Sequence, residues 1–276
     1  MAERMTMFIG AMDHSPSEQL TGDPDCWHNT VLVLSEGGEH WKLAGEIASR
    51  VNNNSNLSKW AGRRDSYKQR FEEALAELIA SYPVYVRAVS AQERVIEASV
   101  SHMIGELGLS GHVRTFEKNG KPYVGFGPFL KGKYGVKPED FDEVSYELPR
   151  NQALPLIFIC HFVLRMHQKL LPLLKTARPE LEWLDLQLMP NKFPGGIDGP
   201  MASLFYAIMS LASPERIAGT FRMMTLHESK GDAGNELADN IAGLLKDKIE
   251  SGDRELLPAS EAVEWEIWEA GSDARE

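Results

Sequence analysis

Cysteine is scarce in this chain: two residues in 276, Cys26 and Cys160, which form no spaced framework of the kind that staples small secreted folds. Cys160 sits inside an apolar run and reads as a buried free thiol, so a reducing, cytoplasmic setting is expected. Long hydrophobic runs are also missing. Residues 5–12 (MTMFIGAM) are apolar but Asp13 closes them at once, too early for an export signal. The longest run, Ala153 to Leu164, contains His161 and is followed by Arg165. It falls short of the ~20 residues that a membrane span needs, so the sequence predicts a soluble protein with no membrane partner. Positive charge is in deficit: 29 Lys and Arg stand against 40 Asp and Glu, a formal net charge of −11. That balance argues against coating duplex nucleic acid through a general surface field, while leaving room for a local basic groove or a metal-filled acidic site. Finally, there is no Gly-rich phosphate loop, no Gly-x-Ser-x-Gly elbow, no internal repeat and no low-complexity linker.

What is present is 43% hydrophobic residues, enough to bury a sizeable core in one large domain. Strand patterns cover residues 5–12, Thr30 to Leu34, Val84 to Val89, Trp183 to Met189 and Thr220 to Leu226. Helical spacing covers Glu39 to Val51, Asp65 to Ser81, Ala91 to Leu107, Asn151 to about Lys175, Met201 to Leu211 and Leu237 to Ile249. Asn119-Gly120 between Val113–Phe116 and Tyr123–Phe126 is a strong hairpin signal. The Gly-, Pro- and Lys-rich stretch 127–150 reads as an irregular connection. Strands that alternate with helices late in the chain predict parallel pairing, and the early strands can pair antiparallel. The expected fold class is therefore α/β, a mixed sheet with helices on both faces. Its boundaries are 1–250 for the domain, about 111–150 for a hairpin-and-loop insertion, and 251–276 for an acidic, Trp-containing tail.

The chemical lead is Phe221-Arg-Met-Met-Thr-Leu-His-Glu-Ser-Lys230 followed by Gly231-Asp-Ala-Gly-Asn-Glu-Leu-Ala-Asp-Asn-Ile-Ala-Gly243. A strand delivers Glu228 at its carboxyl end, and the next helix bears Asp239. On that helix Leu237, Ile241, Leu244 and Leu245 form the apolar stripe. Asp239 lies off the stripe beside the small residues Ala242 and Gly243, which allow close approach to another backbone. Helix capping suits Asp232 or Asn235 better than Asp239, which comes about a turn too late.

Ser-Lys, a spacer, then Glu-Leu-Ala-Asp-Asn-Ile-Ala-Gly resembles the C-terminal signature of an RNase H-like family of domains of unknown function (domain of unknown function 3800). The strand that ends in Met-Asp13-His14-Ser15-Pro16 is similar to that family's N-terminal strand, which ends in Asp-Glu-Ser-Gly. The resemblance covers most of residues 5–250. It implies an RNase H-like fold and a carboxylate site at Asp13, Glu228 and Asp239, binding Mg²⁺ or Mn²⁺ for phosphodiester hydrolysis. A further acidic ligand expected after the strand at Trp183 to Met189 falls on Asn191 here, and His14 stands where the family has Glu. These departures motivate an alternative: a catalytically degenerate relative that serves as a binding component of a larger assembly.

Two further features suggest partners. Lys118, Lys121, Lys131, Lys133 and Lys137 interleave with Tyr123, Phe126, Phe129 and Tyr134, a composition able to grip single-stranded nucleic acid, with Lys131 and Lys133 as contact candidates. In the tail, Val263, Trp265 and Ile267 alternate with Glu264 and Glu266, as in a half-buried strand. Trp268 breaks the alternation, which leaves a short helical turn open, and two tryptophans this close call for burial, against the domain itself or against a partner or second copy of the chain.

Overall fold

The computed structural model describes residues 7–15, 19–53, 56–131, 142–177, 184–190, 200–212, 221–226, 232–256 and 262–269. Its centre is a six-stranded mixed sheet in the order β8-β7-β1-β2-β3-β9. β1 (Met7–Ser15), β2 (Trp27–Glu36) and β3 (Val84–Gln92) form an antiparallel meander. On the other flank β7 (Leu184–Pro190) runs parallel to β1, and β8 (Phe221–Leu226) runs parallel to β7. β9 (Val263–Trp268) adds a parallel strand at the β3 edge. The split into early antiparallel and late parallel pairing is what the order of strand and helix patterns predicts.

Register sorts the side chains between two layers. Asp13 lies opposite Val31 and Ala11 opposite Val33, whereas Met12 lies opposite Leu32 and His14 opposite Thr30. Val31 and Val33 belong to a core built with α1 (Glu39–Asn52), α2 (Asp65–Leu78) and the last helix, α6 (Ala233–Ser251). Met12, Leu32 and Leu34 belong to the opposite core, with α3 (Glu93–Glu106), α4 (Arg150–Ala177) and α5 (Pro200–Leu211). Because both faces are covered, Val31, Leu32, Val33 and Leu34 are all buried, which is why β2 reads as a continuous apolar run rather than an alternation.

α4 is the core helix of the second layer. It is long and apolar enough to cross a membrane by length and composition, longer than the apolar run alone suggests, yet 76% of its most apolar window is buried inside the protein. A second, three-stranded sheet packs against it: β4 (Val113–Lys118), β5 (Lys121–Lys131) and β6 (Asp142–Pro149), in that order. The hairpin turns at Asn119 and Gly120, both at positive φ (57° and 70°), the conformation for which Asn-Gly is selected. The stretch 127–150 is not irregular throughout. Val144, Tyr146 and Leu148 alternate with polar residues and form β6, a short period-2 signal hidden by the surrounding Gly, Pro and Lys.

Other boundaries moved for local reasons. β1 continues through Asp13 to Ser15 because both residues are paired with β2. α6 starts at Ala233, a turn earlier than its apolar stripe, because the Asp232 side chain accepts the Asn235 N–H at 2.9 Å and caps the polar first turn. It ends at Gly252, whose φ of 81° suits glycine. The stretch read as a tail supplies β9. Trp268 continues the strand and packs edge-on against Phe158 of α4 at 5.5 Å, while Lys169 binds both Glu264 and Glu266.

Candidate functional site

The carboxyl end of β1 sends chemistry to both layers. Asp13, 5% exposed, faces the α6 layer, and His14 beside it faces the α4 layer. Alternation along the strand thus sends two neighbouring residues to opposite faces of the sheet.

On the α6 side, Asp239 is half-buried, and its carboxylate accepts the Trp60 backbone N–H at a long 3.5 Å. The Trp60 ring lies over Gly243, where a β-carbon would stand 2.2 Å from it, so the neighbour there is a side chain of the loop before α2 and not another backbone. Ala238, Ile241 and Ala242 share a core with Val31 and Val33 of the sheet. Asn240 completes this seam, accepting from the Tyr67 hydroxyl at 2.9 Å and donating to the Ser58 carbonyl at 2.9 Å.

α6 runs parallel to β1. Gly234 in its first turn abuts His40, which bonds Ser35 near the β2 carboxyl end, whereas Arg254 beyond its last turn lies over the Trp27 ring at the β2 amino end. Asp13 is therefore about 13 Å along β1 from Ile9, the partner of Ser35. Asp239 is about 7.5 Å along α6 from Gly234. The two carboxylates share a layer, with Asp239 turned toward Trp60.

Glu236, between Asp232 and Asp239 on α6, was not singled out in the sequence. Burial raises its carboxyl above the usual range, a backbone N–H from Leu57 opposes this, and the charges of Asp232 and Asp239 raise it further. Its Oε2 is buried without a hydrogen-bond partner among the described residues. Crowding of this kind on a carboxylate is what an incoming cation relieves.

On the α4 side a chain of buried groups links β1, β2 and the start of α3. His14 Nδ1 lies 2.7 Å from Thr30 Oγ1, His14 Nε2 lies 3.2 Å from His28 Nδ1, and His28 Nε2 lies 2.9 Å from Glu93 Oε1. Glu93 also accepts from the Thr21 hydroxyl and amide and from the Gly22 amide. Burial works to raise its carboxyl, but the bonds from His28, Thr21 and Gly22 win and hold it below the usual range. Burial lowers His28 and outweighs the attraction of Glu93. The pair is thus a neutral imidazole donating to a carboxylate. With both rings neutral, the proton order is Thr30 O–H to His14 Nδ1, His14 Nε2–H to His28 Nδ1, and His28 Nε2–H to Glu93. The only sequence signal for this cluster is the spacing of Cys26, just before β2, and His28 two residues on within it. Glu93, 65 positions beyond His28, arrives through the register that sets Trp27 opposite Gln92.

The other expected positions divide plainly. Glu228, Asn191 and Lys133 lie outside the described residues. Lys131 pairs in register with Asp142 at the end of β5. Lys118 is held by Glu147 at 2.7 Å, so part of the basic hairpin is already neutralised. Among the described residues, groups of three potential metal ligands occur at Cys26, His28 and Glu93 and at His102, Glu106 and His161. Compared with family models, curated proteins and solved structures, the chain has no match in any of the three.

Proposed function

We propose that the protein is an RNase H-like, divalent-metal-dependent nuclease or phosphodiesterase. The observation that carries this reading is the sheet: a central β1 with an antiparallel meander on one side, two parallel strands on the other, and a buried aspartate at its carboxyl end. Strand order and direction of this kind are expected of an RNase H-like sheet. The donor chemistry suits the ion. Asp13 offers a buried hard-oxygen ligand, and the Glu236 carboxyl, raised first by burial and further by the charges of Asp232 and Asp239, gains from a nearby positive charge. Asp13, Glu228 and Asp239, with Asn191 as a neutral oxygen donor, would hold Mg²⁺ or Mn²⁺. A pair of such ions supplies activation of water and stabilisation of the leaving oxygen. Lys131 and Lys133 would steer the nucleic-acid backbone.

The test is hydrolysis of single- and double-stranded DNA and RNA with Mg²⁺ or Mn²⁺, by the wild type and by Asp13→Asn and Asp239→Asn. Metal-dependent cleavage that drops to background in both variants is expected. Cleavage of none of the four substrates, or full activity in Asp13→Asn, would sink the enzymatic reading. A second reading rests on the engagement of Asp239 with the Trp60 amide and of His14 with Thr30 and His28. Both residues then serve packing, and the fold acts as a catalytically silent binding component. Nucleic-acid binding without turnover would favour it, and loss of that binding in Lys131→Glu/Lys133→Glu, with a steep salt dependence, would locate the surface.

A further inference from the structure

We propose that Cys26, His28 and Glu93 form a second metal site, of the kind that takes Zn²⁺, distinct from the carboxylates on the α6 side. Thiolate, imidazole and carboxylate are all good ligands for this borderline ion, and three protein ligands leave a fourth tetrahedral position for water. One donor atom from each of the three lies within 4.8 Å of the others. Across a tetrahedral ion such atoms stand about 3.3–3.8 Å apart. Small side-chain rotations therefore suffice: the 2.9 Å contact between His28 and Glu93 opens and the sulfur draws in.

The framework is rigid. The Glu93 N–H donates to the Cys26 carbonyl at 2.9 Å, which ties the start of α3 to the residue that leads into β2. His28 and Glu93 are buried and Cys26 is half-buried, so the cluster lies close to the surface.

The surroundings favour this cluster over the one at His102, Glu106 and His161. A metal-binding histidine normally has its second ring nitrogen held by a partner. His28 has one in His14 Nε2 at 3.2 Å, whereas His161 Nδ1 is buried with no partner among the described residues. Arg165 adds a repelling positive charge near Glu106 and His161.

Binding rearranges protons in a way that balances. The metal takes the His28 Nε2 lone pair, so the proton of that ring moves to Nδ1 and donates to His14. The His14 proton moves from Nε2 to Nδ1 and faces Thr30 Oγ1. Neither ring gains or loses a proton, and one is released to solvent, from the Cys26 thiol. The ligand atoms of Glu93 and Cys26 then carry the charge that neutralises the ion.

The experiment uses the full chain, stripped with a chelator and titrated with Co²⁺ and then Zn²⁺. One equivalent of Co²⁺ should bind with a thiolate charge-transfer band in the near ultraviolet, and Zn²⁺ should displace it. The other thiol, Cys160, is completely buried among apolar residues of the α4 core. Cys26→Ser should abolish the band and weaken Zn²⁺ binding by more than the roughly 10–100-fold that an outer-shell change such as His14→Ala produces. His102→Ala should bind as the wild type does. In the unmutated protein, Zn²⁺ should protect Cys26 from alkylation. Absence of Co²⁺ binding, an unchanged band in Cys26→Ser, loss of binding in His102→Ala, or alkylation of Cys26 at the same rate with Zn²⁺ would each overturn the site.

Discussion

The two layers of the protein flank one sheet and differ in their polar chemistry. The α6 layer gathers carboxylates and amides: Asp13 from the sheet, and Asp232, Glu236, Asp239 and Asn240 from the helix. The α4 layer gathers most of the buried imidazoles, His14 and His28 from the sheet and His161 and His167 from the helix, while His40 of α1 lies on the α6 side. The difference follows from where polar groups can be satisfied. α6 borders the loop before α2, which presents the backbone groups of Ser58 and Trp60. α4 is surrounded by apolar side chains, where a neutral imidazole costs far less to bury than a carboxylate. Glu93 is the exception, and it carries four donors.

The largest effect expected from perturbing this contrast is on stability. Phe158 on the α4 side and Phe71 on the α2 side are fully buried. Truncation of either to Ala should cost about 3–5 kcal/mol, read as a shift of the urea midpoint. Phe158→Ala should also release Trp268 of β9, which it contacts at 5.5 Å, and change the tryptophan emission. Because Phe71 packs on Trp60 at the same distance, the comparison is made in a Trp60→Phe background, where equal emission changes in both variants would mean that the layers do not act separately on the edge strand.

Acid should test the imidazoles next. Burial pushes His167 and His40 down to about 4. Between pH 6.5 and about 4 the unfolded chain binds protons at these two positions and the native state does not. Stability therefore falls as pH falls through that window, by about 3 kcal/mol for each group at the limit, and levels off below it. His167→Gln should remove about half of this slope in urea titrations across the pH range. An unchanged slope would take His167 out of the acid sensitivity and leave it to the other buried imidazoles.

A smaller loss belongs to the α6 seam. Gly243→Ala brings a β-carbon to 2.2 Å from the Trp60 ring, so the ring must shift or the helix must move away. Overpacking of this kind costs about 1–3 kcal/mol. A thermal midpoint equal to that of the wild type would show that Trp60 relocates freely.

How much of this was legible beforehand depends on range. The helices, the Asn-Gly hairpin and the pairing directions were written in local patterns, because period and turn chemistry are short-range properties. β6 escaped because three alternating residues stand among Gly, Pro and Lys. The β9 alternation was readable, but its place against β3 was not, since strand order comes from packing between distant segments. Of the candidate site residues, Asp239 was named from its place on the helix and Asp13 from the family resemblance. Neither the direction of α6 nor the turn of Asp239 toward Trp60 has a local signature. The His14, His28 and Glu93 chain was invisible for the same reason: its members are polar residues of common type, united only by register.

The smallest effect is expected at Asp239, and its sign separates the two roles weighed for that residue. The carboxylate makes one long bond to the Trp60 amide, which an Asn side-chain oxygen can replace. Removing its charge relieves Glu236, whose carboxyl is raised in part by Asp232 and Asp239. The two changes oppose each other. Asp239→Asn should therefore alter stability by no more than about 1 kcal/mol, with a slight gain within reach, because a hydrogen bond of this kind contributes little net. At the same time Glu236 should titrate at lower pH, measurable by carboxyl-resolved NMR titration. A loss well above that figure, with the Glu236 titration unmoved, would assign Asp239 to holding the α6 seam and remove the strongest support for a cation site on that side.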